Sequence, residues 1–152
     1  MRYFEAPQEY SESGPAVFLA GGISDAEDWQ AVVAARLERS EGTVLNPRRK
    51  HFEPTVENHR SQIAWEFRHL ERATLIAFWF PPQTLCPIAL FELGACCSSH
   101  EHLVVAAHPD YGRRFDLQVQ LSLRRPEIHV VDSLEELVQQ IEQHPAFQGA
   151  SR

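Results

Sequence analysis

The sequence predicts a single doubly wound α/β domain, because strand patterns alternate with helix patterns along its 152 residues. The clearest pattern lies between Ala73 and Ser99, where Glu92 is the only charged side chain although 23% of the whole chain is charged. Within that segment, Thr74–Phe80 is a continuous β-branched and aromatic run, which is typical of a parallel strand buried on both faces. We therefore predict that this strand is central in a five-stranded parallel sheet.

Five short apolar runs have the composition of strands and are bounded by turn residues. In chain order they are Ala16–Ala20, Thr43–Leu45, Thr74–Phe80, His102–Ala107 and Glu127–Val131. Five helices are predicted to alternate with these strands, each opened by a side chain that can accept a hydrogen bond from the first turn. These predicted caps are Ser24, Thr55, Thr84, Asp116 and Ser133. Right-handed crossovers would then bring every loop that follows a strand to one edge of the sheet, in a flavodoxin-like arrangement.

The predicted domain spans residues 15–146. Residues 1–14 are polar and include Pro7 and Gly14, which predicts an irregular N-terminal arm. Residues 147–152 are predicted to form a polar tail.

Composition and charge argue against several classes of partner. The net charge is −7 and the isoelectric point about 5.6, which disfavours a nucleic acid polymer or an anionic membrane as partner. No apolar run approaches the roughly 20 residues that span a bilayer, and the N-terminus lacks the apolar core of a secretory signal. Three cysteines, two of them adjacent, indicate a reducing compartment, so we expect the protein to be cytoplasmic.

Polar and glycine residues follow four of the predicted elements at the same edge of the sheet, where open α/β domains bind ligands. They are Gly21-Gly22, Asn46 with Arg48, Glu92 and Asp116. A lone carboxylate among apolar groups is costly unless it is paired or has a function, and burial should raise the pKa of Glu92. The alternatives without a ligand-binding role are that Glu92 points to solvent, that packing alone requires the glycine pair, and that the basic loop at Arg48 is solvated.

Five motifs, in this order, resemble those of the nucleoside 2-deoxyribosyltransferase family. They are FLAGGI (Phe18–Ile23), LNPRR (Leu45–Arg49), QIAWE (Gln62–Glu66), LIAFWFPPQTLCPIALFELG (Leu75–Gly94) and HPDYGRRFD (His108–Asp116). The chain looks most like the bacterial branch that carries the FWFP…CPI…ELG signature. The resemblance extends from about Phe18 to the final helix and implies the flavodoxin-like fold.

The resemblance implies a role for each residue that matches a family motif. Glu92 would be the nucleophile that attacks C1′ of a 2′-deoxynucleoside, and Glu66 the second catalytic acid. The remaining implied pocket residues are Phe18, Gly21, Gly22, Ile23, Asn46, Arg48, Trp79, Cys86 and Asp116. The implied partners are nucleosides and free nucleobases, with neither a metal nor an organic cofactor. Because Asp116 matches a residue that reaches the neighbouring subunit in the family, the resemblance also implies a homo-oligomer built from dimers with shared sites.

Three departures from the family pattern affect base choice and the tuning of the nucleophile. Phe18 stands where some members have a tyrosine, Cys86 where some have an aspartate, and Thr74 where many have an aspartate that we interpret as structural. Phe18 and Trp79 either stack on a base or fill the core. The functional alternatives to deoxyribosyl transfer are an N-glycosidase that hydrolyses nucleosides or nucleoside 5′-monophosphates, and a non-catalytic nucleotide-binding module.

Overall fold

Five parallel strands form one sheet in the computed structural model, which describes residues 1–148. They lie side by side in the order β1-β3-β2-β4-β5. The strands are β1 (Arg2–Glu5), β2 (Ala16–Gly21), β3 (Thr43–Asn46), β4 (Leu75–Phe80) and β5 (Leu103–Ala107). The predicted fold class, a doubly wound α/β domain with a five-stranded parallel sheet, is confirmed.

Six helices cover the two faces of the sheet in two layers. Apolar side chains of α2, α3 and α4 pack in one core cluster, and those of α1, α5 and α6 pack in the other. The helices are α1 (Trp29–Arg36), α2 (Val56–Arg72), α3 (Pro87–Ser99), α4 (Arg114–Arg124), α5 (Leu134–Gln143) and α6 (Pro145–Gln148). No helix among residues 1–148 combines the length and the apolarity needed to cross a membrane.

The central strand β4 is buried along its whole length, as the sequence predicted. Its alternate side chains enter different cores, with Phe78 on the side of α2 and α3 and Trp79 on the side of α1 and α5. Since β4 pairs with β2 on one side and with β5 on the other, the residues that follow it lie between the loops that follow those two strands.

The prediction of an irregular arm at residues 1–14 is wrong for its first part. Arg2–Glu5 forms the edge strand β1, which pairs in parallel with β3. This strand is missed because its exposed and half-buried side chains do not form an apolar run. Farther along, Gln8–Tyr10 is held against α2, where the indole Nε1 of Trp65 donates to Gln8 O at 2.9 Å.

The predicted fifth strand, Glu127–Val131, is also wrong in all but its last residue. Only Val131 reaches β5, where it forms an isolated bridge with Ala106. Its backbone N donates to Val105 O at 3.1 Å, and Ala107 N donates to its carbonyl at 2.9 Å. The sheet therefore has the predicted number of strands, but β1 takes the place of this segment.

Two of the predicted helix caps are confirmed: Thr55 accepts from Asn58 N, and Ser133 accepts from Glu136 N. The other three are wrong. Asp28 rather than Ser24 caps α1, Cys86 rather than Thr84 precedes α3, and α4 begins before Asp116.

The predicted polar tail begins inside a helix. Phe147 lies on α6 and is buried against the core of α1 and α5, so it belongs to the domain. Residues 149–152 lie outside the described part of the chain.

Candidate active site

The candidate site lies where the direction of strand order reverses in the sheet. From β2 the chain moves outward to β3, and from β3 it crosses back over β2 to β4. The carboxyl ends of β2 and β4 therefore flank the switch point of the sheet, which is where open α/β sheets bind ligands. Gly21-Gly22 follows one of these strands, and the loop from Pro81 to Cys86 follows the other.

Glu92 lies on α3, the helix that follows this loop, with its side chain half-buried. Burial is the main cause that raises the pKa of Glu92 to about 7, and the negative charge of Glu66 raises it further. The expected direction of this shift is confirmed. Glu92 is consequently a carboxyl group that gains and loses its proton near neutral pH.

Glu66 lies on α2, in the same helical layer as Glu92, and is also half-buried. Its Oε1 accepts a hydrogen bond of 2.8 Å from Nε2 of Gln62. Burial raises the pKa of Glu66, while the Gln62 hydrogen bond and the positive charge of Arg49 oppose the rise. The fold thus brings together the two carboxylates that the sequence singled out, from positions 26 residues apart.

Gly21 and Gly22 are required by close packing between the loops after β2 and β4. Gly21 has a φ of +150°, and a Cβ there would lie 2.2 Å from the carbonyl oxygen of Trp79. A Cβ on Gly22 would lie 2.7 Å from Sγ of Cys86. The steric interpretation of the glycine pair is therefore sufficient, since protein atoms occupy the space beside both residues.

Asn46 and Arg48 use their polar atoms within the protein. Asn46 is buried; its Nδ2 donates to the Tyr3 hydroxyl at 2.7 Å, and its Oδ1 accepts from Arg48 N at 2.9 Å. The Arg48 guanidinium donates to Gln30 Oε1 and to the carbonyls of residues 26 and 27. These contacts connect the loop after β3 to α1 and to the loop after β2.

Phe18 and Trp79 both fill the core, on opposite faces of the sheet. Phe18 is 1% exposed and packs against Trp65 of α2, with ring centroids 6.0 Å apart. Trp79 lies in the core of α1 and α5, away from the layer that carries Glu66 and Glu92. The core alternative for these two aromatic residues is therefore the one that their burial favours.

The family model for nucleoside 2-deoxyribosyltransferase-like proteins matches residues 14–111, which is more than half of the chain and includes both carboxylates. The chain belongs to this family. A search of curated proteins found no match.

Two departures from the family pattern have a structural explanation. At Thr74, Oγ1 accepts from Ala16 N at 2.9 Å and lies 2.8 Å from Ala146 O, so it joins the starts of two strands to α6. Cys86 precedes α3 in the left-handed conformation, with a φ of 49°, and is buried beside Gly22. Burial raises the pKa of Cys86 to about 11, so this thiol is neutral.

The last two positions implied by the family pattern lie in the segments that follow β2 and β5. Ile23 follows the glycine pair and is half-buried. Asp116 lies in the first turn of α4, exposed to solvent, with a carboxylate oxygen 3.6 Å from the Arg113 guanidinium. No group of three metal-binding side chains is present within residues 1–148.

Sequence reasoning missed Gln62 and Arg49 as neighbours of the carboxylates. Gln62 precedes Glu66 by four residues, a spacing that places both on one face of a helix. That signal was present in the QIAWE motif, whereas the proximity of Arg49 depends on how α2 packs over the loop after β3.

Proposed function

We propose that the protein transfers 2-deoxyribose between nucleobases through a covalent glycosyl-enzyme formed on Glu92. The observation that carries this proposal is the pair of half-buried carboxylates on α2 and α3, with the pKa of Glu92 at about 7. Retaining glycosyl transfer uses one carboxylate as nucleophile and a second group that handles the proton of the leaving group. In this proposal Glu92 is the nucleophile and Glu66 the second group, and membership of the nucleoside 2-deoxyribosyltransferase-like family supports a reaction of this class.

One proton shared by the two carboxyl groups serves both steps of the reaction. Because the negative charge of Glu66 raises the pKa of Glu92, the two carboxyl groups titrate as a coupled pair. Movement of the proton from Glu92 to Glu66 leaves Glu92 as the anionic nucleophile and makes Glu66 the acid. Glu92 then bonds to C1′ while the bond from C1′ to the base nitrogen breaks, and the departing base takes the proton from Glu66.

The second half of the reaction reverses these bonds with another base. A nitrogen of the incoming base attacks C1′, the ester oxygen of Glu92 leaves, and Glu66 accepts the proton that the base releases. Exclusion of water from Glu92 is required in this proposal, because water would hydrolyse the intermediate, and coverage of the exposed Ile88 and Phe91 by a second copy would provide it. The substrates in this proposal are nucleosides and free nucleobases.

A homo-oligomer with shared sites is part of the same proposal. Large apolar side chains are exposed along all three helices of the layer that carries Glu66 and Glu92. They include Ile63 and Phe67 on α2, Ile88 and Phe91 on α3, and Phe115 and Leu123 on α4. Exposed apolar side chains in such number are typical of protein–protein contacts. In a contact made through this layer, the exposed Asp116 of α4 would lie close to the second copy.

Chromatography of deoxyinosine incubated with the protein, with and without free adenine, tests the proposed reaction. We expect deoxyadenosine only when adenine is present, and more than a thousandfold loss of product in Glu92→Gln, since the amide cannot act as nucleophile. Glu41→Gln is the matched control, because this exposed glutamate precedes β3 at the opposite edge of the sheet.

Two results would contradict the transferase proposal. Release of hypoxanthine at the same rate with and without adenine would show hydrolysis, and deoxyinosine 5′-monophosphate would then be compared as substrate. Failure of every nucleoside and base pair to react, together with saturable binding of a nucleotide, would favour the non-catalytic module.

A further inference from the structure

The carboxamide of Gln62 makes two contacts that connect α2 to the loop after β3. Its Nε2 donates to Pro47 O at 2.7 Å and to Glu66 Oε1 at 2.8 Å. A carbonyl oxygen can only accept, so the atom that faces Pro47 must be the nitrogen, and both amide hydrogens are committed. The orientation of the group beside Glu66 is therefore fixed by chemistry.

The other polar atom of the Gln62 carboxamide is its oxygen. Its Oε1 is buried and has no hydrogen-bond partner among residues 1–148. An unpaired buried acceptor lowers the stability of the folded protein, so packing alone would favour an apolar side chain at this position. The amide at this position therefore donates a hydrogen bond to Glu66, although its own oxygen has no partner among the described residues.

We infer that Gln62 is a positioning residue that holds Glu66 as an anion and thereby favours the proton of the carboxyl pair residing on Glu92. Nε2–H stabilises the ionised form of Glu66, because a donor favours the charged carboxylate. The proton of the resting pair consequently resides on Glu92. This inference rests on the proposed function for its catalytic meaning but not for its test.

Few other ionisable groups act on the pair. Arg49, from the loop after β3, favours the anionic form of Glu66 as Gln62 does. On α3, the thiol of Cys96 is within electrostatic reach of Glu92, and burial raises its pKa to about 11, so it remains neutral. Gln62 is therefore the hydrogen-bonding partner whose removal should change the proton distribution most directly.

The first test is carboxyl ¹³C NMR titration of Glu66 and Glu92 in the intact protein and in Gln62→Met, which keeps side-chain length but removes the donor. We expect the titration of Glu66 to move upward by about one pKa unit, the size of a lost charge-assisted hydrogen bond. Because more of the proton would then reside on Glu66, the chemical shift of the Glu92 carboxyl carbon should change less during the titration step that occurs at the higher pH. An unchanged Glu66 titration in Gln62→Met would overturn the inference.

Asn58→Leu is the matched control for loss of a loop contact. Asn58 lies one turn earlier on α2 and donates its Nδ2 to Glu53 O at 2.9 Å. A merely structural role for Gln62 predicts that both variants lose stability and that neither shifts the titrations. If Gln62→Met does not fold, Gln62→Glu keeps the shape and replaces the donor with an acceptor, and it should move the Glu66 titration farther upward.

Turnover adds a second readout once a substrate pair reacts. Because the reactive form carries the proton on Glu66, Gln62→Met should raise kcat by up to about tenfold with little change in KM, and the pH profile of kcat should shift upward with the Glu66 titration. A change in KM alone would overturn the positioning role. If no substrate reacts but the NMR shift occurs, the proposed function fails while the inference about Gln62 stands.

Discussion

At the scale of single residues, Glu92 destabilises the fold whenever it is ionised. Its pKa of about 7 in the folded protein lies above the value of about 4.3 for an exposed glutamate. The folded state therefore holds a proton that the unfolded state has released between these two values. The contribution of protonated Glu92 to the free energy of unfolding is fully present below the pKa of Glu92 in the unfolded state. It is lost as the pH rises through 7.

Replacing Glu92 with glutamine should consequently stabilise the protein in a pH-dependent way. We expect Glu92→Gln to increase the free energy of unfolding by up to about 3 kcal/mol at pH 8, with the gain disappearing near pH 4.5. Urea denaturation of both proteins across this range measures the difference. A gain that does not vary with pH, or one equalled by the exposed-site variant Glu41→Gln, would contradict the conclusion that burial disfavours the ionised form of Glu92.

The residue scale also shows which parts of the site the sequence could predict. Glu92 was identifiable because it is the one charge in a long apolar segment. The roles of Asn46 and Arg48 were not, because their partners Tyr3 and Gln30 come from distant segments whose proximity only the fold creates. A polar residue at the correct sheet edge is thus a candidate ligand contact until its own hydrogen bonds are known.

At the scale of elements, the segment Gln8–Tyr10 forms a short strap that lies against α2. Its attachment to α2 depends on one neutral histidine. His69 is completely buried; its Nδ1 lies 2.7 Å from Trp65 O and its Nε2 accepts from Tyr10 N at 3.0 Å. These contacts require the proton on Nδ1, and burial lowers the pKa of His69. Around it, Glu9 favours the charged ring, whereas Arg68 and Arg72 oppose it.

Acid should therefore weaken the attachment of the strap to α2. The neutral form of His69 stabilises the fold fully above the unfolded pKa of about 6.5, and this contribution is lost as the pH falls below it. We expect His69→Leu to lower the free energy of unfolding by about 1–3 kcal/mol at pH 8 and by less at pH 5. The exposed-site variant His129→Leu is the control, and a deficit that grows on acidification would refute this role.

The elements that the sequence did not predict have a common physical cause. Ser24 and Glu27 form a capping pattern, yet α1 starts at Trp29 because Arg48 occupies the preceding carbonyls and Asp28 accepts from Ala31 N. Arg2–Glu5 becomes a strand only because β3 offers a free edge. Glu127–Val131 has strand composition, but only Val131 reaches β5. Long-range contacts decided all three cases.

At the scale of the whole molecule, the two helical layers differ in their surfaces. The layer of α2, α3 and α4 exposes many large apolar side chains, including Phe67 and Leu123 at 67% and 77% exposed. Within the described residues, the layer of α1, α5 and α6 exposes only Val32 among its large apolar side chains. The proposed self-association should therefore bury the first layer.

A charge introduced on that layer should reduce the oligomeric state. We expect Phe67→Glu combined with Leu123→Glu to convert an oligomer to a smaller species, since two carboxylates would be desolvated at each contact. Analytical ultracentrifugation at several protein concentrations provides the measurement, with Val32→Glu on the opposite layer as control. A monomeric unsubstituted protein at all concentrations would rule out the proposed oligomer.

The placement of the thiols gives the molecule a chemical asymmetry of practical use. All three cysteines lie at the start of α3 or along it. Burial raises the pKa of Cys86 and Cys96 to about 11 and also raises that of Cys97. Because the thiolate is the reactive form, the buried Cys86 and Cys96 are poor targets for maleimides at neutral pH, and burial also disfavours the reactive form of Cys97. A fluorophore or solid support can thus be attached through a cysteine introduced at the exposed Gln139 of α5, on the face opposite the carboxylates.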